Sequence, residues 1–187
     1  MATENSFDVF RPFVEKFGAS DSPEQFYWSV NEAYHTVESE LYDRIHSSMY
    51  VELDRVWNRL IKNLPTDKAK LKVLDVGAGT GLVGHMLDRL APGKVERLTC
   101  VEPNAAMIEK ATIKARGWKF SIDVVHGLLS AVTPAPAFDV ITINSVLHHI
   151  VDLPVFLSTL KSYIREGGVL LTAHDPHGSA WSDEIAL

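Results

Sequence analysis

Hydrophobic positions along the chain change their spacing once, near Lys72. Before that point they recur at threes and fours. Phe26, Val30, Ala33, Tyr34, Val37, Leu41 and Ile45 form one stripe, and Leu53, Val56, Trp57, Leu60 and Ile61 form another. This is the period of amphipathic helices. Ser22-Pro23-Glu24-Gln25 is a helix start, with Ser22 as the cap, Pro23 at the first helical position and Gln25 completing a capping box. A further helix is predicted from Tyr50 to Leu64, ended by Pro65. After Lys72, short apolar runs alternate with amphipathic stretches. The runs predict strands at Leu71 to Val76, Val95 to Val101, Phe120 to Val125, Phe138 to Ile143 and Gly168 to Ala173. Helices are predicted between them at Leu82 to Leu90, Ala105 to Ala115 and Leu153 to Ile164. Such alternation implies right-handed crossovers and an α/β, Rossmann-like, doubly wound sheet that is mostly parallel. The chain therefore divides into a helical lid or cap, residues 1–66, and a cofactor-binding core, residues 67–187. Ligands of such sheets bind beyond the carboxyl ends of the strands, so the candidate site residues are those that follow each strand.

The first strand runs into Asp75-Val76-Gly77-Ala78-Gly79-Thr80-Gly81. Glycine is needed in such a turn because a side chain would keep a ligand from the backbone and because positive φ costs it little. Dinucleotides and S-adenosylmethionine both use this device. A G-x-G-x-x-G frame starting at Gly77 fails at Leu82, and the frame Gly79 to Gly84 begins two residues late relative to the strand. Asp75 adds a physical objection. A carboxylate beside the turn repels a pyrophosphate, whereas it suits a ligand carrying an ammonium and a sulfonium. The second strand ends in Val101-Glu102-Pro103-Asn104, where Glu102 can accept hydrogen bonds from both hydroxyls of a ribose.

Bulk properties remove several alternatives. Acidic residues outnumber basic ones, 24 to 18, and no Lys/Arg cluster provides the footprint of a nucleic-acid binder. Cys100 is the only cysteine, in an apolar run, which excludes an intrachain disulfide and a thiolate metal cluster. The N-terminus lacks a basic segment followed by an apolar one, and no apolar stretch is long enough to span a bilayer. The expected location is the cytoplasm, with no membrane and no nucleic acid as partner.

The ordered set of blocks resembles the class I S-adenosylmethionine-dependent methyltransferases of the small-molecule type. The blocks are Val73 to Gly81, Val101 to Asn104, Phe138-Asp139-Val140-Ile141, Asn144 to Ile150 and Gly167 to Leu171. Together they cover roughly residues 70 to 175 and are far more specific than a lone glycine loop. The resemblance implies that Asp75, Gly77, Ala78, Gly79 and Gly81 form the methionine end of the cofactor site, that Glu102 and Pro103 lie at the ribose, and that Asn104 and Met107 lie near the adenine. Asn144 and Ser145 would contact the methionine moiety, and Asp139 would be structural. Many relatives place a Gly-Asp pair after the third strand to receive the adenine amino group. Here the pair is Gly127-Leu128, so backbone groups or a neighbour such as Ser130 must serve.

Methyl transfer from a sulfonium is an in-line displacement in which the protein mainly aligns the reactants, with a base needed only when the acceptor must lose a proton. The candidate bases are His148, His149 and His174. Adjacent residues cannot share one face of an element, so at most one of His148 and His149 is expected to point into the pocket. His174-Asp175-Pro176-His177 is expected to make substrate-side contacts or a turn rather than bind metal. Ser145 lacks the G-x-S-x-G elbow of a hydrolase nucleophile, and Asn144-Ser145-Val146-Leu147 stands where amino-methylating enzymes carry Asn-Pro-Pro-aromatic. Phe26, Tyr27, Trp28 and Tyr34 are candidates for an aromatic wall over a small organic acceptor. The C-terminal strands usual in this fold are not found in the sequence, which leaves three expectations: the chain is a fragment, the fold is minimal, or a homodimer or partner chain covers the sheet edge. Three functions fit in decreasing order: a methyltransferase for a small-molecule acceptor, a non-catalytic S-adenosylmethionine-binding module that regulates or stabilises a partner protein, and a nucleotide-dependent oxidoreductase.

Overall fold

The computed structural model describes residues 5–41, 44, 47–135 and 137–175. Ile45, Pro176, His177 and the segment after them lie outside the described residues. Five strands, β1 (Leu71–Val76), β2 (Val95–Glu102), β3 (Ser121–His126), β4 (Phe138–Asn144) and β5 (Ile164–Ala173), form one parallel sheet in the order β3-β2-β1-β4-β5. The chain reverses direction across the sheet between β1 and β4, so the crevice at their carboxyl ends is the switch point where ligands bind. Among the described residues six α-helices accompany the sheet: α1 (Arg11–Lys16), α2 (Pro23–Ser39), α3 (Ser47–Leu60), α4 (Leu82–Leu90), α5 (Ala105–Ala115) and α6 (Leu153–Leu160).

Both faces of the sheet are covered, which is why its central strands read as continuous apolar runs. Along β1, Leu71 and Val73 enter one apolar layer with Met86, Leu87 and Leu98, while Leu74 and Val76 enter the other with Ile141, Ile143 and Tyr163. The period-2 pleat produces that division. The expected limits of β1, α4 and α5 agree with the structure. At the fifth strand they do not: α6 stops at Leu160, and β5 begins at Ile164, which pairs with Phe138. The stretch from Arg165 to Gly168 breaks the apolar run, so the pairing partner, not hydropathy, defines where this strand starts.

The helical N-terminal part divides in two. In α3, Leu53 and Trp57 are fully buried in the same layer as β1 and α4. That helix therefore belongs to the core, although the pattern grouped it with a lid. Helix α2 is different. Its capping box forms as expected, Ser22 Oγ accepting from Gln25 N at 3.2 Å and Gln25 Oε1 accepting from Ser22 N at 3.0 Å. Its apolar stripe, however, is turned outward: Val30, Tyr34 and Val37 are 52%, 61% and 78% exposed. The opposite face, with Trp28, Asn31 and His35, looks onto the carboxyl ends of the strands.

Candidate cofactor and acceptor site

A cavity of about 690 Å³ lies at the carboxyl edge of the sheet, between the strand ends and α2. One lobe is built from the glycine loop and the end of β2. Gly77 N and Ala78 N both donate to Val101 O, at 2.8 and 3.0 Å, which folds the loop back on β2. Gly77, Gly79 and Gly81 all have positive φ, at +70°, +52° and +88°. They nonetheless do different things. A side chain at Gly79 would project into open space within the cavity wall, so the glycine keeps backbone free for a ligand. A Cβ at Gly81 would stand 3.0 Å from the Trp118 ring, and one at Gly84 would overlap that ring at 2.2 Å. These two glycines admit Trp118 against α4, which removes the physical basis for reading Gly79 to Gly84 as a phosphate loop.

Glu102 is 7% exposed and held from both sides. Its Oε2 accepts from Gly79 N and its Oε1 from Asn104 N, each at 2.9 Å. Burial raises its pKa, and the two backbone donors work against that rise. Asn104 caps α5, its Oδ1 accepting from Met107 N at 3.0 Å. Its Nδ2 donates to Glu32 O and Thr36 Oγ1 on α2, at 3.2 and 2.8 Å. One side chain thus connects the end of β2 to the covering helix.

Gly77, Gly79, Glu102, Pro103, Asn104, Met107, Gly127, Leu128, Asn144 and Ser145 all border the cavity, as does Ser130. Three of the expected cofactor residues stand back from it. Ala78 is buried in the core, Gly81 packs on Trp118, and Asp75 is 1% exposed beneath the loop. Asp75 Oδ1 accepts from Thr142 Oγ1 at 2.7 Å, while Oδ2 has no hydrogen-bond partner among the described residues. Burial pushes this carboxyl up to about 7, with Thr142 opposing and Glu102 adding to the shift.

The second lobe is mostly apolar, with Phe7, Trp28, Ile150, Val151, Val155 and Phe156 in its wall. Phe7, Phe10, Tyr27 and Trp28 pack ring against ring at centroid distances of 4.7 to 6.2 Å. Tyr27 Oη donates to His149 O at 2.6 Å and ties this aromatic wall to the turn after β4. Of the expected wall residues, Tyr27 and Trp28 are there. Phe26 and Tyr34 belong to the outer side of α2.

The three expected bases separate cleanly. His149 borders the cavity at the junction of the two lobes. Burial lowers its pKa to about 4, and the neighbouring His148 and His35 push the same way. His148 is turned aside, its Nδ1 2.9 Å from Asp175 Oδ1. His174 is exposed with φ +62° and is not part of the wall. Adjacent positions on a tight turn point in different directions, so only one of each neighbouring pair can reach the cavity. The pattern reading missed Asn31 and His35. They were legible in principle as Trp28-Asn31-His35, a second stripe at helical spacing opposite the apolar one.

Residues 45–182 match the family described as "Methyltransferase domain". Among curated proteins, the chain is 30% identical to the ubiquinone biosynthesis O-methyltransferase of Methylocella silvestris, over 60% of this chain and 45% of that protein. It is 27% identical to the protein of the same name from a Bradyrhizobium strain, over 55% of this chain and 39% of that one. The chain thus spans less than half the length of these relatives. Among solved structures, a SAM-dependent methyltransferase of Leishmania major aligns with TM-score 0.67 at 18% identity, covering 91% of this chain and 72% of that one. The DhpI–SAH complex aligns with TM-score 0.58 at 22% identity, covering 78% and 68%. Fold, cavity and family match agree: the protein is of the class I, S-adenosylmethionine-dependent type. The chain belongs to the methyltransferase-domain family, with S-adenosylmethionine as its cofactor.

Proposed function

We propose that the chain transfers the methyl group of S-adenosylmethionine to an oxygen of a small, largely apolar acceptor. The observation that carries this reading is the single cavity whose polar lobe ends on Glu102 and Gly79 and whose other lobe is walled by Phe7, Trp28, Ile150 and Phe156. The names of the curated relatives, O-methyltransferases of ubiquinone biosynthesis, support oxygen as the methylated atom.

The residues present fit the cofactor. Glu102 offers two carboxylate oxygens, already oriented by backbone donors, to the ribose hydroxyls. Asp75 Oδ2, buried without a hydrogen-bond partner among the described residues, supplies a negative charge beneath the methionine end, where a ligand ammonium would draw it to its ionised form. Ser130, Leu128 and the backbone of Gly127 stand at the adenine end. When bound, S-adenosylmethionine provides a methyl group already activated on sulfur. What the protein adds is alignment and a dry lobe: α2, held by Asn104 and Tyr27, excludes water and fixes the acceptor in line with the methyl group. A cofactor obtained from the cell's general pool makes the cytoplasm the proposed location. Among the described residues β5 pairs with β4 alone, and its outer edge is the proposed place of self-association, which light scattering of the purified chain tests.

The deciding experiment is calorimetric titration with S-adenosylmethionine, its demethylated product and NAD, on the wild type and on Asp75→Ala and Glu102→Ala. Saturable binding of the first two ligands, weakened in both variants, is expected. Tight binding of NAD instead would overturn the assignment.

A further inference from the structure

Two histidines border the cavity side by side. His149 comes from the turn after β4 and His35 from α2, and their rings meet edge to face at 5.3 Å. They differ in what surrounds them. His149 is packed against His148, 4.1 Å away between centroids, and against His35, so a proton placed on it faces two further imidazoles in a buried position. His35 has carboxylates instead. Its Nδ1 lies 3.5 Å from Glu38 Oε2, one turn along the same helix, and Glu102 acts on it electrostatically from the end of β2.

Resting on the methyl-transfer reading above, we infer that His35, oriented by Glu38, is the base that takes the acceptor's hydroxyl proton, and that His149 serves as a neutral wall. With Nδ1 turned to Glu38, Nε2 is the nitrogen left for a ligand. The balance is simple. The acceptor O–H bond breaks, its proton forms an N–H bond on His35 Nε2, and the oxygen's electron pair goes to the methyl carbon as the C–S pair withdraws to sulfur. One positive charge leaves the sulfonium and one arrives on the imidazole, between Glu38 and Glu102. At His149 the same charge would arrive beside His148 and His35, with Asp175 the nearest counter-charge and already bound to His148. The pKa of about 4 at His149 points the same way, since a base works best near the ambient pH.

The position of His35 is also controlled. Asn104 holds the residues that flank it, its Nδ2 donating to Glu32 O and Thr36 Oγ1, and Tyr27, on the same helix, donates to His149 O. Asn104 borders the cavity and caps α5 after β2, so α2 and the His35 it carries are registered against the end of that strand.

The test uses a proton readout, independent of turnover. The protein loaded with S-adenosylhomocysteine is titrated with pH in the presence of 4-nitrophenol, whose phenolate is read by its absorbance. A base beside the bound hydroxyl should lower the probe's apparent pKa by about one unit relative to free solution. That shift is expected to vanish in His35→Gln, to shrink in Glu38→Gln and to persist in His149→Gln. No shift in the wild type, its survival in His35→Gln, or its loss in His149→Gln while His35→Gln keeps it would each overturn the assignment. Calorimetry with S-adenosylhomocysteine on the same samples confirms that each variant is folded. Failure of that titration in the wild type would sink the cofactor reading and is distinct from the fate of the phenol shift.

Discussion

Asp75 and Asp139 are both 1% exposed, and they stand at opposite ends of neighbouring strands with opposite fates. Asp139 begins β4, at the end of the sheet away from the cavity. It accepts from Lys72 N at 2.8 Å, Lys68 Nζ at 2.7 Å and Arg165 Nε at 2.5 Å. Burial alone would raise its pKa, but these partners bring it below the ordinary carboxylate value. Asp75 ends β1 at the cavity side, has one hydroxyl partner, and is pushed up to about 7. Both are shielded from solvent, but Asp75 lies deep in the core and Asp139 near the surface, and the supply of donors differs as well. The end of the sheet that is saturated with partners is structural, and the end left short of them is the one proposed above to receive a ligand that brings its own positive charge.

The largest effect should come from the ligand side. Glu102→Ala removes the oriented carboxylate and should weaken S-adenosylhomocysteine binding about 100-fold, because hydrogen bonds to a charged group contribute about 1.5–3 kcal/mol each. Calorimetry would measure it, and a change below a few-fold would mean that the ribose is held elsewhere.

Next is the pH dependence of stability. A carboxyl raised to about 7 in the folded state, against an ordinary 3.8, keeps a proton that the unfolded chain has lost. Folded protein therefore binds more protons between these values, and stability falls as pH rises from about 4 to 7, by on the order of 3 kcal/mol from this group. Asp75→Asn should flatten that slope in urea unfolding at pH 5, 6 and 7. A slope identical in wild type and variant would show that Asp75 is not its source.

At the other end, the sign reverses. Asp139 contributes stability that is present above the unfolded carboxylate value and lost as pH falls through its own lower one. Asp139→Ala leaves Lys72 N and Lys68 without this acceptor and Arg165 with only Asp67 and Glu166 O, and should destabilise by about 2–3 kcal/mol at pH 7. Lys68→Ala should cost less than about 1 kcal/mol, because that lysine is half exposed and Arg165 and Lys72 N remain. The ratio of these last two effects sharpens the comparison most: equal losses would mean that one exposed ion pair, not the saturated end, stabilises Asp139.

What could be read in advance follows a physical boundary. Features whose cause lies within a few residues were legible. The capping box at Ser22, the change of period at Lys72, the limits of β1, α4 and α5, and the glycine loop with Asp75 and Glu102 all depend on local backbone sterics, hydrogen bonding and strand-end chemistry. The outward turn of Val30, Tyr34 and Val37 was not legible, because periodicity gives a stripe without saying which side meets the sheet. The same ambiguity hid His35, which matters only because Asn104, some seventy residues away in sequence, clamps α2 over the strand ends. It also left His148 and His149 equivalent until the turn after β4 aimed one at Asp175 and the other at the cavity. The sequence by itself determined the α/β class, the order of elements and the cofactor loop, since those are set by short-range preferences repeated along the chain. Only the tertiary structure decided which face of α2 covers the strand ends and which histidines border the cavity. Those choices are made by contacts between distant segments, where burial and charge are properties of the assembled neighbourhood rather than of any residue.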